Sequence, residues 1–411
     1  MPRLSTTYPK LYPHAGPRMK PSLPLLVSGL GVAQIVSWGS LYYPISVRGD
    51  SMQRDLGVSS TVLFAAFTMS LLISGLAAPA VGRLMEALGA RTVLCAGSLL
   101  GMAALLWLAL ASGPVGLFMG AALAGMAMAA CLYDAAFMAL NQLAGDAYRR
   151  SVTGLTLFGG FASTVSWPVS QFLLGALGWR HALLIYAALQ LVLCLPLHAL
   201  LLPARGKKTA AAPGAAAPAV VLPDTLWLAI AFALASFVLS VLSVHLIKLF
   251  QLAGLEPGSA VFIATLVGPM QVLGRLLEMG AGGKLRAVHV GTVAFASMVL
   301  ALAGLFLLNG ASPVAFMVAG LYGISNGLMT IVRGVVPAEL YGRRNYSVLL
   351  GRLARPAFVA RALAPFAFPL GLAGLDTGGV VLALVAISLL ACWSYLAALR
   401  QAGKAASDAS A

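Results

Sequence analysis

The chain has 411 residues, of which 60% are hydrophobic and only 9% are charged. Soluble domains carry about 25% charged residues, and a chain this apolar would aggregate in water, so the composition excludes a soluble globular protein. The net charge of +15 comes from 26 Lys and Arg against 11 Asp and Glu. The basic residues stand singly between long apolar runs rather than on one basic face, which argues against a nucleic-acid partner.

Twelve apolar runs are each long enough, at about 20 residues, to cross a bilayer as a helix. In chain order they cover residues 25–47, 61–81, 92–111, 115–139, 152–174, 181–202, 226–249, 260–276, 290–308, 314–336, 349–372 and 380–398. The eighth run is short and has charged residues at its end. The sequence therefore predicts an all-α membrane protein with twelve transmembrane helices.

The segments outside these runs predict two tails and a linker. Residues 1–24 are rich in Pro and contain no apolar run, which indicates a flexible tail. Residues 203–224 are rich in Ala and Pro and contain a Lys pair, as expected of a solvated linker. We therefore expect one six-helix bundle at 25–202, a second at 225–399, and a C-terminal tail at 400–411.

The basic residues between the runs predict the orientation. If the N-terminus lies inside, the loops that follow the even-numbered runs are cytoplasmic and hold most of the Arg and Lys residues. The opposite side keeps only Arg48, Arg54, Arg180 and Lys248. The positive-inside rule therefore predicts that both termini are cytoplasmic.

Three short patterns recur in the same order in the two halves of the chain. Residues 82–86 (GRLME) pair with 274–278 (GRLLE), 124–125 (AG) with 319–320, and 149–150 (RR) with 343–344. The members of each pair lie between 192 and 195 residues apart. The near-constant offset indicates a parallel duplication of six helices, an arrangement in which two similar bundles flank a central site.

The segment GRLMEALGAR after the second run resembles a loop signature of the major facilitator superfamily, Gly-x-x-x-Asp/Glu-x-x-Gly-x-Arg. The matching positions are Gly82, Glu86, Gly89 and Arg91. A degenerate copy is present at Gly274 and Glu278. Together with the runs, the linker and the duplication, the resemblance covers essentially the whole chain. It implies two six-helix bundles around a central cavity that rock to give alternating access.

Within this superfamily the first run, with Trp38 and Gly39, resembles the monocarboxylate-porter branch and its bacterial relatives. The resemblance also implies a gating role for the repeated motif. It puts Glu86 against the start of the eleventh helix and Glu278 against the fifth, as a latch that closes when the cavity opens outward. The alternative is that each is an ordinary interfacial charge.

Asp134 is the only acidic residue deep within an apolar run. A carboxyl group at mid-bilayer costs about 2.5–3.5 kcal/mol even on insertion scales, so it faces a cavity or a partner. Asp134 is therefore the first candidate to couple transport to a proton or cation, with His245 on the seventh run as the second. The alternatives are a structural pair of Asp134 with Arg333 or Arg355, and a His245 that reaches the interface.

Arg361 lies about 12 residues into the eleventh run, near the bilayer midplane. Its planar guanidinium suits an anionic substrate group, although a permanent pair with Asp134 is the alternative. Further candidates for substrate contact are the mid-run amides and aromatic residues, which could instead bridge helices or form an interfacial belt. They are Gln34, Trp38, Tyr42, Trp167, Gln271 and Asn326.

Taken together, these features predict a secondary active transporter for a small anionic solute, coupled to a proton or cation. The alternative is an efflux carrier for a toxic compound such as a drug or a trivalent arsenical. The chain has no Walker A motif and no clustered His or carboxylate ligands, so we expect no enzyme activity, cofactor or metal. We expect a monomeric multi-pass protein of a bacterial inner membrane, with the solute, the coupling ion and the lipid bilayer as its partners.

Overall fold

The computed structural model describes residues 22–42, 51–204, 224–281, 284–310, 312–343 and 345–408. Most of the predicted N-terminal tail and linker lies outside these residues. Within them, all regular elements are helical, and ten segments are long and apolar enough to cross a membrane. We number the membrane helices as spans 1 to 12 in chain order, spans 1–6 forming the N half and spans 7–12 the C half.

The N half begins with span 1, Leu23–Ser37, which continues as a π-helical turn at Trp38–Tyr42. Span 2 is Ser60–Leu88, span 3 is Ala90–Leu110, and span 4 consists of Pro114–Cys131 and Tyr133–Leu143. Span 5 is Tyr148–Gly160 together with the first part of Ala162–Leu189. Span 6 is the rest of that helix, a π-helical turn at Gln190–Cys194, and Leu195–Leu201.

In the C half, span 7 is Leu226–Leu252, and span 8 consists of Pro257–Ala264 and Val267–Gly280. Span 9 is Ala287–Leu307 and span 10 is Ser312–Tyr341. Span 11 is Tyr346–Gly374 and span 12 is Thr377–Asp408. Spans 5 and 11 complete the twelve helices that the sequence predicts.

The turn between spans 2 and 3 explains one position of the repeated motif. Span 2 ends at Leu88 and span 3 begins at Ala90, so the chain reverses at Gly89 alone. Gly89 has a φ of 85°, a conformation that glycine adopts without the steric cost that a Cβ would bring. We call the side of the molecule that carries this turn the inner side; the charge pattern predicts that it faces the cytoplasm.

The two halves meet most closely where span 2 packs on span 11. A Cβ at Gly82 would overlap the carbonyl oxygen of Ser347, and a Cβ at Gly351 would lie 2.5 Å from the carbonyl oxygen of Ala78. The two backbones can approach this closely only because glycine contributes no side chain. Spans 5 and 8 also pack across the interface, through their inner segments Tyr148–Gly160 and Val267–Gly280.

Candidate substrate and coupling site

A break in span 4 positions Asp134. The first helix ends at Cys131, Leu132 is extended, and the second helix starts at Tyr133, so Asp134 lies in its first turn. A carboxylate is favourable there because the free N–H groups of the first turn carry partial positive charge. Gln34 of span 1 stabilises the break: it is fully buried, and its Nε2 donates to the Cys131 carbonyl at 2.7 Å.

Asp134 pairs with an arginine of the opposite half. Its Oδ2 lies 3.5 Å from Nη2 of Arg333 in span 10, and the two side chains are 13% and 15% exposed. Of the two arginines that the sequence offered as structural partners, Arg333 is the one in contact, whereas Arg355 is exposed. The pair therefore bridges the halves at the level where span 4 is broken.

Arg361 lies near this pair, against the ring of Phe358. Its guanidinium carbon is 5.6 Å from the ring centroid, and that of Arg333 is 5.9 Å from the same ring. Both arginines therefore make cation–π contacts with one phenylalanine of span 11. The carbonyl of Arg361 also accepts a hydrogen bond from Ser240 of span 7 at 3.1 Å.

A third arginine, Arg275 of span 8, is almost completely buried at 4% exposure. Its Nε donates to the Gly327 carbonyl at 3.4 Å, but its Nη1 has no hydrogen-bond partner among the described residues. A Cβ at Gly160, the last residue of the inner helix of span 5, would overlap this Nη1. Arg275 therefore reaches across the interface to the point where span 5 is interrupted.

The hydroxyl of Tyr133 lies beside Arg275. It is also buried and without a partner among the described residues, and a Cβ at Gly159 would overlap it. Gly159 and Gly160 are adjacent, so the hydroxyl of Tyr133 and Nη1 of Arg275 lie against neighbouring residues of span 5. Two buried donors from opposite halves thus converge beside the Gly159–Gly160 pair. A buried donor that makes no hydrogen bond destabilises the fold, and one oxygen acceptor placed here would accept hydrogen bonds from both groups.

Five aromatic rings form a continuous row in the N half, which we call the aromatic row. Its members in order are Phe67, Tyr42, Trp38, Tyr133 and Phe137. Neighbouring ring centroids lie 5.0 to 5.5 Å apart. Trp38 and Tyr42 belong to the π-helical turn of span 1, a geometry that often marks functional positions.

The other predicted site residues lie in different surroundings. Gln271 and Asn326 are half-buried, and the backbone of Gln271 touches Gly327 where spans 8 and 10 cross. His245 is half-buried on span 7. The side chain of Trp167 lies outside the described part of the structure.

At the inner side, the repeated motif contacts the opposite half in both copies. Glu86 Oε1 accepts a hydrogen bond from the Ser347 backbone at 3.3 Å, at the start of span 11. Glu278 pairs with Arg149 of span 5 at 2.8 Å and accepts from Thr153 Oγ1 at 2.6 Å. Each motif carboxylate therefore contacts the half opposite to its own.

Other residues at the inner side add to this closure. Arg343 binds Asn141 of span 4, with Nε 2.7 Å from Oδ1. The hydroxyls of Tyr148 and Tyr346 lie 2.7 Å apart, and both donate to the Gly334 carbonyl. Spans 4 and 5 are thus joined to spans 10 and 11 at the inner side.

Sequence reasoning did not identify Arg275 or Tyr133 as site residues. Arg275 occupies the second position of the motif, and its counterpart Arg83 is exposed. Because the two motif arginines are equivalent in the sequence, only the packing of span 8 against span 5 distinguishes them. Tyr133 gave no signal beyond its place next to Asp134.

Comparisons with known proteins agree with this architecture. The family profile described as Major Facilitator Superfamily matches residues 30–365. The solved structure of the human organic anion transporter MFSD10 (TETRAN) is similar to this chain with a TM-score of 0.66 and 16% sequence identity, covering 91% of this chain and 100% of the transporter. No curated protein sequence matches the chain.

The family match extends over most of the chain and confirms the twelve-helix fold that the sequence predicts. It identifies a multi-pass membrane protein that is a transporter and not an enzyme. The chain belongs to the major facilitator superfamily.

Proposed function

We propose that this protein is a secondary transporter of organic anions in a bacterial inner membrane, with both termini in the cytoplasm. The observation that carries the proposal is the charge balance where the halves meet. Arg333 pairs with Asp134, Arg361 shares the ring of Phe358 with Arg333, and Nη1 of Arg275 lies beside Gly160, next to the Gly159 position that the hydroxyl of Tyr133 occupies. Uncompensated positive charge within a membrane is costly, so an anionic ligand would stabilise the site.

The contacts favour Arg275 as the principal substrate contact. Arg333 is paired with Asp134, whereas Nη1 of Arg275 and the hydroxyl of Tyr133 are unpartnered among the described residues. A guanidinium edge beside a hydroxyl suits a carboxylate or a sulfonate. MFSD10, whose structure is similar to this chain, is an organic anion transporter, which supports the same substrate class.

The Asp134–Arg333 pair offers a route for coupling to protons. Protonation of Asp134 would neutralise its carboxylate and release Arg333, which would then be available to a bound anion. Proton binding and anion binding therefore reinforce each other, and this reciprocity favours symport. The inner side is closed in the structure, which supports an outward-facing state. The efflux alternative differs in the direction of transport and in the substrate, a toxic compound such as a drug or a trivalent arsenical. The full burial of Cys131 at the break gives no support to an arsenical substrate.

Ligand-induced thermal stabilisation of the purified protein tests the substrate class. We expect organic carboxylates and sulfonates to raise Tm, and matched amines and neutral amides to leave it unchanged. Arg275→Gln should abolish the shift. Arg286→Gln should retain it, because Arg286 pairs with Glu339 within the C half, away from the site. Stabilisation by amines instead of anions would contradict the proposal.

A further inference from the structure

The aromatic row borders the C half: Phe67, Tyr42 and Trp38 pack against a buried cluster to which Ala362 of span 11 also belongs. Tyr133, two rings beyond Tyr42, has its hydroxyl beside Gly159, and Nη1 of Arg275 lies beside the neighbouring Gly160. Trp38 lies between the two tyrosines, with centroid distances of 5.0 Å to Tyr42 and 5.3 Å to Tyr133. These rings therefore form part of the interface at which the substrate would bind.

The exposure of the row differs from that of an ordinary core cluster. Trp38, Tyr42, Phe67 and Tyr133 are all partly exposed, and only Phe137 at the inner end is fully buried. Rings that served only to fill a core would be buried along the whole row. Partial exposure of four successive rings in a row that borders the other half is typical of a wall of a binding site.

The row and the anion position meet at Tyr133. This residue belongs to the row through its ring and reaches the anion position through its hydroxyl, next to Arg275. A ligand with its anionic group at Arg275 would therefore lay the rest of its body along Trp38 and Tyr42. Aromatic rings bind one another in offset or edge-on geometries, and the row presents both inclined and stacked neighbours.

From this arrangement we infer that the substrate is an aromatic carboxylate, with its carboxylate at Arg275 and Tyr133 and its ring against Trp38 and Tyr42. This inference rests on the proposed function and narrows it to anions with a planar body. Small hydrophilic anions such as acetate would leave the row without a contact.

Equilibrium dialysis of labelled 2-naphthoate against the full-length protein in detergent tests this inference. Unlabelled acetate and 2-naphthol serve as competitors, since the first lacks the ring and the second lacks the charge. We expect 2-naphthoate to bind at least about tenfold more tightly than acetate, because only the naphthyl ring buries apolar surface. 2-Naphthol should compete poorly because it leaves Arg275 unpaired.

Substitution of Trp38 gives the sharper test. Trp38→Ala should weaken 2-naphthoate binding by about threefold to tenfold and leave acetate binding unchanged, whereas Trp38→Phe should retain most of the affinity. Trp107→Ala is the control, because Trp107 is 43% exposed on span 3 and lies outside the row. If Trp38→Ala does not fold, Tyr42→Leu should show the same contrast between the two ligands.

The outcomes separate this inference from the proposal on which it rests. Suppose that acetate binds as tightly as 2-naphthoate, or that Trp38→Ala weakens the binding of both equally. The inference that the aromatic row binds the substrate is then wrong, and the proposal of an anion transporter is unaffected. If 2-naphthol binds as tightly as 2-naphthoate, the proposal of an anion transporter is wrong, and the inference that the aromatic row binds a planar ring is retained. If none of the three binds, both are wrong.

Discussion

Arg83 and Arg275 occupy the same position of a duplicated motif, yet their surroundings differ. Arg83 is exposed, whereas the side chain of Arg275 in span 8 is 4% exposed and lies between spans 5 and 10. In the first copy, Gly82 packs directly on the backbone of span 11 and leaves Arg83 on the surface. The duplication thus supplies one arginine to the inner surface and one to the interface between the halves.

The pair of glycines beside Arg275 leads to a first prediction. Gly160→Ala would force Nη1 of Arg275 away from its position, because the new Cβ would overlap it. We expect anion affinity to fall by about tenfold to a hundredfold, the usual loss for a charged hydrogen bond. Gly175→Ala is the control: Gly175 belongs to the same span, and a Cβ there would have no atom within 4 Å, so this variant should bind the anion normally. Equal affinities in the two variants, measured by dialysis, would show that Arg275 does not contact the ligand.

Asp134 leads to a second prediction at the residue scale. Asp134→Asn removes the titratable carboxylate but keeps its shape, so we expect loss of uphill transport and of its pH dependence, with solute exchange retained. Asp146→Asn, an exposed acid next to span 5, is the matched control and should transport normally. Uptake by reconstituted protein with and without a pH gradient gives the readout. If the Asp134→Asn variant still concentrates solute, Asp134 does not couple transport to protons, and His245 is the next candidate for that role.

At the scale of the helix, span 4 shows what the sequence could not reveal. The sequence predicts one continuous helix over 115–139, and the segment around Leu132 contains neither Pro nor Gly to indicate a break. The break is instead stabilised by Gln34, which lies 97 residues earlier and donates to the freed carbonyl of Cys131. Gln34 therefore makes a hydrogen bond between helices, which fits one of the two roles that the sequence left open, and its contact with a substrate stays a prediction. Because its partner is a backbone atom, no residue pattern could have predicted it.

The closure of the inner side leads to a third prediction. Glu278→Gln weakens the contact of span 8 with Arg149 and Thr153, so the inner side should open more readily. Because Glu278 is buried and paired, we expect the inward-facing population to increase by at least about tenfold. The gating role of the motif stays a prediction until this is measured.

Cysteine labelling of the inner cavity can measure this shift, with Glu339→Gln as the control. Glu339 also pairs with an arginine, Arg286, but both lie in the C half, so that substitution should not change the labelling rate. If Glu278→Gln and Glu339→Gln label equally fast, the contact across the interface does not hold the inner side closed. Glu86→Gln should shift labelling in the same direction, since Glu86 accepts a hydrogen bond from span 11 across the interface.

At the scale of the whole molecule, the fold could be predicted because a helical membrane protein must carry its membrane spans as apolar runs in the sequence. Twelve apolar runs, one polar linker and a repeated motif were sufficient, because a membrane helix must be apolar along most of its length. The site depends on contacts between the halves, such as Asp134 with Arg333 across 199 residues. Such pairs depend on how the two bundles pack against each other, and the residue pattern of one sequence does not reveal that packing.

Transport of a membrane-impermeant aromatic anion tests the central claim most directly. Labelled naphthalene-2-sulfonate is suitable because, unlike a carboxylic acid, it has no neutral form that crosses the bilayer unaided. In proteoliposomes with an imposed proton gradient, we predict saturable accumulation that Arg275→Gln abolishes and Arg286→Gln leaves intact. Saturable transport of cations or neutral solutes by this protein, with no protein-dependent flux of the sulfonate or of any other organic anion, would contradict the account.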